Sequence, residues 1–157
     1  MARSWARDAM PLQVQSYNLA AVKSEDGKAG AWIVTWVSPS LQKSRQYTWS
    51  AVEAEGNLHK GVFAGLEQSW SGPSGQSMPF EVPAIRIDSD EAFKLAKEEK
   101  PAVTLAKKKP DLPIVFLMEK TRQYPDVTWR VMWGESVGTA ELSVFVDAST
   151  GKILGRS

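Results

Sequence analysis

The residue types that most often carry chemistry are scarce in this chain. Its 157 residues include no cysteine, and His59 is the only histidine. Disulfides, thiolate nucleophiles and sulfur-ligated zinc are therefore excluded, and a Ser-His-Asp triad would have to use His59. His59 lies between Leu58 and Lys60 after a turn, so we interpret it as a surface strand residue, with a catalytic or ligand role as the alternative. We expect no catalytic residue, no cofactor and no metal site.

Two short segments superficially match motifs of catalysis or phosphate binding. The segment from Asp147 to Lys152 has the Thr-Gly-Lys of a phosphate loop, but that motif needs glycine at Val146 and serine or threonine at Ile153. We interpret it as a hairpin turn. The segment Ser40-Leu-Gln-Lys43 fits Ser-x-x-Lys, yet Pro39 indicates a loop where that chemistry needs a helix start, so we interpret the match as coincidence.

The charged clusters favour solvation and helix capping over acid-base chemistry or anion binding. Asp88, Asp90 and Glu91 precede an apolar stripe, as capping residues do, and Lys107 to Lys109 fall near a predicted helix end, where cations suit the helix dipole. The chain carries 19 Lys and Arg against 18 Asp and Glu, for a net charge of +1. This balance does not indicate a nucleic-acid or anionic-membrane partner.

An internal repeat organises the elements that would position any site. Ala31-Trp-Ile-Val-Thr-Trp36 and Thr128-Trp-Arg-Val-Met-Trp133 share a Trp-x-Val-x-Trp core, and a Pro-led apolar segment precedes each, at Pro11 and at Pro113. The order of elements is the same in both halves. We therefore predict a duplication in which residues 29 to 54 and 126 to 148 are equivalent and Trp32 and Trp129 occupy the same structural position.

Apolar residues recur with a period of two in both halves, which predicts half-buried antiparallel strands. In the first half these strands run near Leu12 to Val22, Gly30 to Val37 and Arg45 to Ala54, with Asp26-Gly27 as a turn between the first two. In the second half the alternating residues are Ile114, Phe116 and Met118; Val127, Trp129, Val131 and Trp133; and Leu142, Val144, Val146 and Ala148. The sequence predicts two matching meanders.

Helix signals concentrate at the start of the second half. Asp88 can cap a helix that begins near Ser89, and Glu91 can close a capping box with it. Pro101 marks a kink or restart, and Ala102 to Lys109 is predicted as a second helical stretch. Only ten residues precede Pro11, so we expect the sequence to begin inside the helix that the first half should have, with Ser4 to Asp8 either forming its last turn or fraying.

Tryptophan is the compositional anomaly, with seven residues in the chain. Four of them lie in the repeated motif on the same strand face as Val34 and Val131, so we interpret them as core, with an aromatic binding surface as the alternative. That binding role is better assigned to Trp49 and Trp70, which have no aromatic equivalents in the second half. An exposed tryptophan can also cover a half-sheet left bare by a missing helix.

The second half resembles a PepSY domain over roughly residues 87 to 155. The resemblance rests on the capped helix Asp88-Ser-Asp-Glu-Ala-Phe-Lys-Leu-Ala96, then Trp129-Arg-Val, then the closing strand and turn Val144-Phe-Val-Asp-Ala-Ser-Thr-Gly-Lys-Ile153. The first half is similar to a degraded copy that lacks the Thr-Gly-Lys turn. The resemblance implies an exported bacterial protein, halves built as a helix on a curved sheet as in the cystatin fold, a role in binding or restraining peptidases or other partners, and no catalytic residues.

These observations predict an α+β chain of two halves, each a curved antiparallel meander, with a packing helix at least in the second. Residues 1–71 form the first repeat, 72–76 a linker and 77–157 the second repeat. We expect a non-enzymatic binding or regulatory module that engages a protein partner, in the periplasm or outside the cell. The start MARSWARDAM has no apolar signal region, so we expect any export signal to have been removed. The alternative function is a small-ligand or peptide carrier with an aromatic-lined cleft between the halves.

Overall fold

A computed structural model of the chain describes residues 1–20, 22, 24–53, 58–73 and 77–157. The helices are α1 (Ala2–Trp5), α2 (Ser89–Lys97) and α3 (Lys100–Lys108), with a short 3-10 turn at Val82–Ala84. The strands are β1 (Met10–Tyr17), β2 (Ala31–Ser38), β3 (Lys43–Ser50), β4 (Gly61–Ser69), β5 (Ile114–Glu119), β6 (Thr128–Trp133), β7 (Leu142–Asp147) and β8 (Ile153–Arg156).

All eight strands belong to one antiparallel sheet with the order β4-β3-β2-β1-β5-β6-β7-β8. Each half contributes four consecutive strands, and β1 pairs with β5 to join the two meanders edge to edge. The chain is therefore an α+β fold in which the halves share a single sheet. A common origin of the two halves by duplication stays a prediction.

The main core lies between one face of the second half of the sheet and the helices. We call this side of the sheet the helix face and the opposite side the outer face. Phe116, Trp129, Val131 and Val144 on the helix face are buried and pack against residues of α2 and α3 such as Ala92. The register aligns Phe116, Val131 and Val144 in one row across β5, β6 and β7, as the predicted alternation requires.

Several predicted elements are confirmed and others need correction. The helix start at Ser89, the restart at Pro101 and the turn at Asp26-Gly27 are confirmed. The predicted strand from Leu12 to Val22 ends at Tyr17, and the one from Arg45 to Ala54 spans Lys43–Ser50. The sequence analysis assigned no residue range to β4 or to β8.

The ends of two helices differ from prediction. The capping box at α2 does not form, because the amide of Glu91 donates to the carboxylate of Asp90 at 2.8 Å while Asp88 accepts from the amide of Ser89 at 3.0 Å. The N-terminal helical turn lies at Ala2–Trp5 and not at Ser4 to Asp8. Three predicted elements lie partly outside the described residues: the first strand at residue 21, the third strand at residue 54 and the linker at residues 74–76.

The turn between β7 and β8 is held by Asp147. One oxygen of its carboxylate accepts hydrogen bonds from the amide of Ser149 at 2.8 Å, from the hydroxyl of Ser149 at 2.7 Å and from the amide of Thr150 at 3.0 Å. Gly151 takes a φ of 78°, which favours glycine. Burial favours the neutral carboxyl group, but these hydrogen bonds outweigh it and lower the pKa of Asp147. The segment is a hairpin turn, as predicted.

Replacing Asp147 with asparagine is expected to lower the free energy of unfolding at pH 7 by about 1–2 kcal/mol, because a charge-assisted acceptor is lost. A lowered folded-state pKa stabilises the fold above the unfolded pKa, and this stabilisation is lost as the pH falls through the folded value. The difference between wild type and Asp147→Asn should therefore shrink below about pH 4. Urea unfolding at pH 7 and pH 3 measures it, and an equal difference at both pH values would contradict the assignment.

Candidate functional site

The four tryptophans of the repeated motif pack inward on the helix face. Trp129 and Trp133 are buried in the main core, and Trp32 packs partly buried against the same core. Trp36 instead contacts a small cluster in which α1 and the residues after it cover Tyr47. The core interpretation thus holds for Trp129 and Trp133, whereas Trp32 and Trp36 are half-buried at the edges of their clusters.

Trp32 and Trp129 lie on the same face of the sheet and touch across the junction of the halves. Their ring centroids are 6.1 Å apart at an interplanar angle of 70°, and Trp32 also lies 6.1 Å from Phe116. Ser16 stands opposite Trp32 on β1, and its small side chain leaves room for the indole to reach over that strand. The hydroxyl of Ser16 accepts a hydrogen bond from the amide of Phe116 at 2.8 Å, so it is satisfied while buried.

Trp49 occupies the uncovered part of the helix face. It pairs with Trp32 on one side and with Val62 of β4 on the other. Trp49 is 40% exposed and Val62 is 50% exposed. α2 and α3 cover the second half, whereas α1 covers only the region of Trp36 and Tyr47. The first half therefore presents an apolar patch at this end of the sheet.

Trp70 lies at the opposite end of the same hairpin. Its amide donates to the carbonyl of Gln42 at 2.9 Å, directly beyond the pair formed by Lys43 and Ser69. Trp49 is about six residues further along β3, which corresponds to about 20 Å at the rise of a strand. The structure places Trp49 and Trp70 at opposite ends of one hairpin and not side by side, so each would contact a different part of a partner.

β4 is the feature that the sequence analysis missed. It forms one edge of the sheet and, among the described residues, pairs only with β3. Three of its apolar side chains are exposed: Val62 at 50%, Phe63 at 45% and Leu66 at 89%. A bulge at the position opposite Gln46 interrupts the register between Ala64 and Glu67, and Leu66 lies within it. We call this region, with Trp49, the β4 edge surface.

The remaining sequence candidates are dispersed. Ser40 is in the turn between β2 and β3, and its amide donates to Asp8 at 2.7 Å. His59 precedes β4, which corrects its prediction as a strand residue, and its Nδ1 lies 3.3 Å from an oxygen of Glu53. Within the described parts of the chain, no three His, Asp or Glu side chains cluster as metal ligands would. In the same parts, no helix is long and apolar enough to span a membrane.

Comparison with known proteins gives a fold neighbour and no family. No protein-family model matches the chain, and no curated protein matches it. Among solved structures the chain is similar to a protein described as a "putative lipoprotein" from Clostridium difficile 630, with a TM-score of 0.58 and 10% sequence identity. The match covers 99% of this chain and 86% of that one. At this identity, the likeness shows a shared α+β fold.

Proposed function

We propose that this chain is a non-enzymatic binding or regulatory module that engages a protein partner through the β4 edge surface. The observation that carries the proposal is a long edge strand with three exposed apolar side chains, beside the exposed Trp49. Natural sheets usually protect such an edge with charge, proline, a bulge or a covering element. β4 has a bulge, but its segment from Gly61 to Ala64 is regular and carries the exposed Val62 and Phe63. An edge left apolar and open is the template that a partner strand or loop extends.

The geometry of the edge suggests how the partner would bind. Residues Gly61 to Ala64 form a regular segment before the bulge, and its outer backbone groups have no strand partner among the described residues, so an added strand could pair with them. Val62 and Trp49 lie on the helix face. Phe63 lies on the outer face, where its ring centroid is 5.1 Å from that of His59 and the rings are tilted by 49°. An added strand would therefore have apolar contacts on both faces. The small net charge favours recognition by shape and apolar contact over electrostatic steering.

We also propose that the chain is PepSY-like and that its two halves arose by duplication. Each half contributes a four-stranded meander, and Trp32 and Trp129 lie on one face at corresponding places in β2 and β6. The second half carries two helices over this face, whereas the described part of the first half has only the turn of α1 there. We propose that the face left open in the first half serves binding. The fold neighbour is described as a "putative lipoprotein", which supports an exported location for this chain.

A carrier of a small ligand or peptide is the second candidate. One cavity of about 360 Å³ lies where the two halves meet, between the loop 24–28 and the side chains of Phe93, Ile114 and Phe116. Its two phenylalanine rings make it the place that best matches an aromatic-lined cleft. It ranks below the protein-binding role because β1 and β5 pair directly, so the sheet is continuous where the two halves meet.

Affinity capture from an exported-protein fraction tests the proposal. We expect Val62→Lys and Leu66→Lys to reduce capture of the partner about tenfold or more, because a buried apolar anchor would become a buried charge. Trp49→Ala should also weaken capture, whereas Trp70→Ala and His59→Ala should leave it unchanged. Val103→Lys is the matched control, since Val103 is a similarly exposed valine, 40% exposed, on α3.

Two results would count against the protein-binding role. One is capture that is equal for wild type, Val62→Lys and Leu66→Lys. The other is turnover of a small substrate that His59→Ala abolishes, which would identify an enzyme. Specific retention of a small molecule or peptide without any protein partner would move the carrier ahead.

A further inference from the structure

A half-open cavity of about 440 Å³ lies on the outer face of the second half, away from the β4 edge surface. Strands β5, β6 and β7 form its floor, and the loop 121–124 forms one wall. The lining residues are Glu119, Thr121, Arg122, Gln123, Tyr124, Thr128, Arg130 and Phe145. The cavity combines two aromatic rings with a fixed guanidinium group, which is the usual make-up of a small-ligand site.

Arg130 is held in place but keeps donors free. Its Nε donates to the hydroxyl of Ser143 at 3.0 Å, and its guanidinium carbon lies 5.6 Å from the ring centroid of Phe145. Its two terminal nitrogens have no hydrogen-bond or ion-pair partner among the described residues. A partly buried guanidinium with two unused parallel donors is preorganised for a planar, bidentate acceptor.

The aromatic wall is also fixed. The rings of Tyr124 and Phe145 stack at 4.7 Å, and the backbones of Thr121 and Tyr124 are joined by a hydrogen bond of 3.1 Å. Gly155 on β8 leaves the space for this arrangement, because a Cβ at that position would come within 2.5 Å of the hydroxyl oxygen of Tyr124. The wall thus offers an apolar surface next to the guanidinium group.

Glu119 limits the charge that the cavity can accept. One oxygen of its carboxylate accepts hydrogen bonds from Ser77 at 2.6 Å and from Gln13 at 3.2 Å, which fix the side chain at the cavity. It forms no ion pair with Arg130 within the described residues. Arg122 also lines the cavity, but it is exposed and solvent screens its charge. The fixed carboxylate of Glu119 would repel a phosphate dianion more strongly than a monoanion.

We propose that this cavity binds a small organic carboxylate with an apolar body. The terminal nitrogens of Arg130 hold the carboxylate in a bidentate pair, and Tyr124 and Phe145 contact the apolar group. Such a carboxylate can belong to the C-terminus of a peptide or to a free aromatic acid. Neither the capture of a protein at the β4 edge surface nor its absence bears on this site.

Calorimetric titration with four probes tests the proposal. We expect N-acetyl-L-phenylalanine or 3-phenylpropionate to bind, and N-acetyl-L-phenylalanine amide and inorganic phosphate to bind at least tenfold more weakly. Tighter binding of N-acetyl-L-phenylalanine assigns the site to peptide C-termini, and tighter binding of 3-phenylpropionate assigns it to free acids. Absence of binding by both acids at about 10 mM, or equal binding of the amide or of phosphate, overturns the proposal.

Variants identify the residue responsible. Arg130→Gln should weaken binding of the acid by about tenfold to a hundredfold, as expected for loss of hydrogen bonds to a charged group. Arg45→Gln is the control, because Arg45 also places its guanidinium over a ring, that of Tyr47, at 5.8 Å but outside the cavity. Equal effects of the two substitutions would contradict the assignment.

A measurement on the wild-type protein tests the same site even if the Arg130→Gln variant does not fold. In ¹H–¹⁵N spectra, the acid should shift the Nε signal of Arg130 and the amide signals of residues 121–124. Shifts confined to other parts of the sheet would overturn the proposal.

Discussion

Replacing Trp129 with alanine is expected to lower the free energy of unfolding by about 3–5 kcal/mol, the cost of removing a large aromatic side chain from a packed core. Trp129 is 3% exposed and lies about 6 Å, centroid to centroid, from both Trp32 and Phe116. Its Nε1 donates to the carbonyl of Ile87 at 3.0 Å, so the substitution also leaves a buried acceptor unpaired.

Alanine substitutions of Trp32 and Trp49 should lower the free energy of unfolding by less. Trp32→Ala should cost less than Trp129→Ala, because Trp32 is only partly buried. Trp49→Ala should change stability by about 1 kcal/mol or less, since Trp49 is 40% exposed. Chemical denaturation of the three variants gives the comparison. Equal, small losses at all three positions would show that the helix face is not the core.

Gly27→Ala is expected to destabilise the fold far more than a positive φ alone would. Gly27 has a φ of 82°, and a Cβ there would lie 2.5 Å from the Cα of Asp90 and 2.7 Å from the carbonyl oxygen of Ser89. The carbonyl of Gly27 also accepts a buried hydrogen bond of 2.6 Å from the hydroxyl of Ser89. The loop between β1 and β2 therefore packs directly on the start of α2, and backbone atoms cannot yield to a new methyl group.

Gly61→Ala separates the cost of the positive φ from the cost of the clash with α2. Gly61 has a similar φ of 90°, but a Cβ there would meet no atom of the described residues within 4 Å. Its substitution should cost about 1–2 kcal/mol from backbone conformation alone. Gly27→Ala should cost at least about 2 kcal/mol more, because the loop must also leave α2. Thermal and urea unfolding of both variants measure the difference, and similar losses at the two positions would refute the contact between the loop and α2.

The second half was the easier part to predict, because burial on one face imposes a period of two. Val131 and Val144 alternate with outer-face residues along β6 and β7, and the helix start at Ser89 follows from its local polar residues. The capping box failed because the side chain of Asp90 bonds the amide that Asp88 was expected to bond. Competition between neighbouring acidic side chains is not readable from spacing.

β4 escaped prediction for a physical reason. An edge strand with solvent on both faces has no buried face. Its sequence therefore need not alternate between apolar and polar residues, since burial on one face causes that alternation. Its apolar residues Val62, Phe63 and Leu66 follow no period of two, and Gly65 interrupts the run. β8 is short, and its Gly155 has no side chain to mark a face.

The candidate sites depend on how the strands pair and where the loops run, and neither can be read directly from the sequence. Trp49 and Trp70 were grouped because both lack partners in the repeat, yet they fall at opposite ends of one hairpin. The cavity beside Arg130 forms because the loop 121–124 returns over β7 and β8, and loop paths of this kind are not encoded in a local pattern.

Hydrogen–deuterium exchange on the complex with the captured partner tests the central claim most directly. If the partner binds the β4 edge surface, the amides of residues 61–64 should exchange at least tenfold more slowly in the complex than in the free protein. The amides of β8, the opposite edge of the sheet, should exchange at an unchanged rate. Protection at β8 or over α3, with residues 61–64 unchanged, would contradict the proposed binding surface.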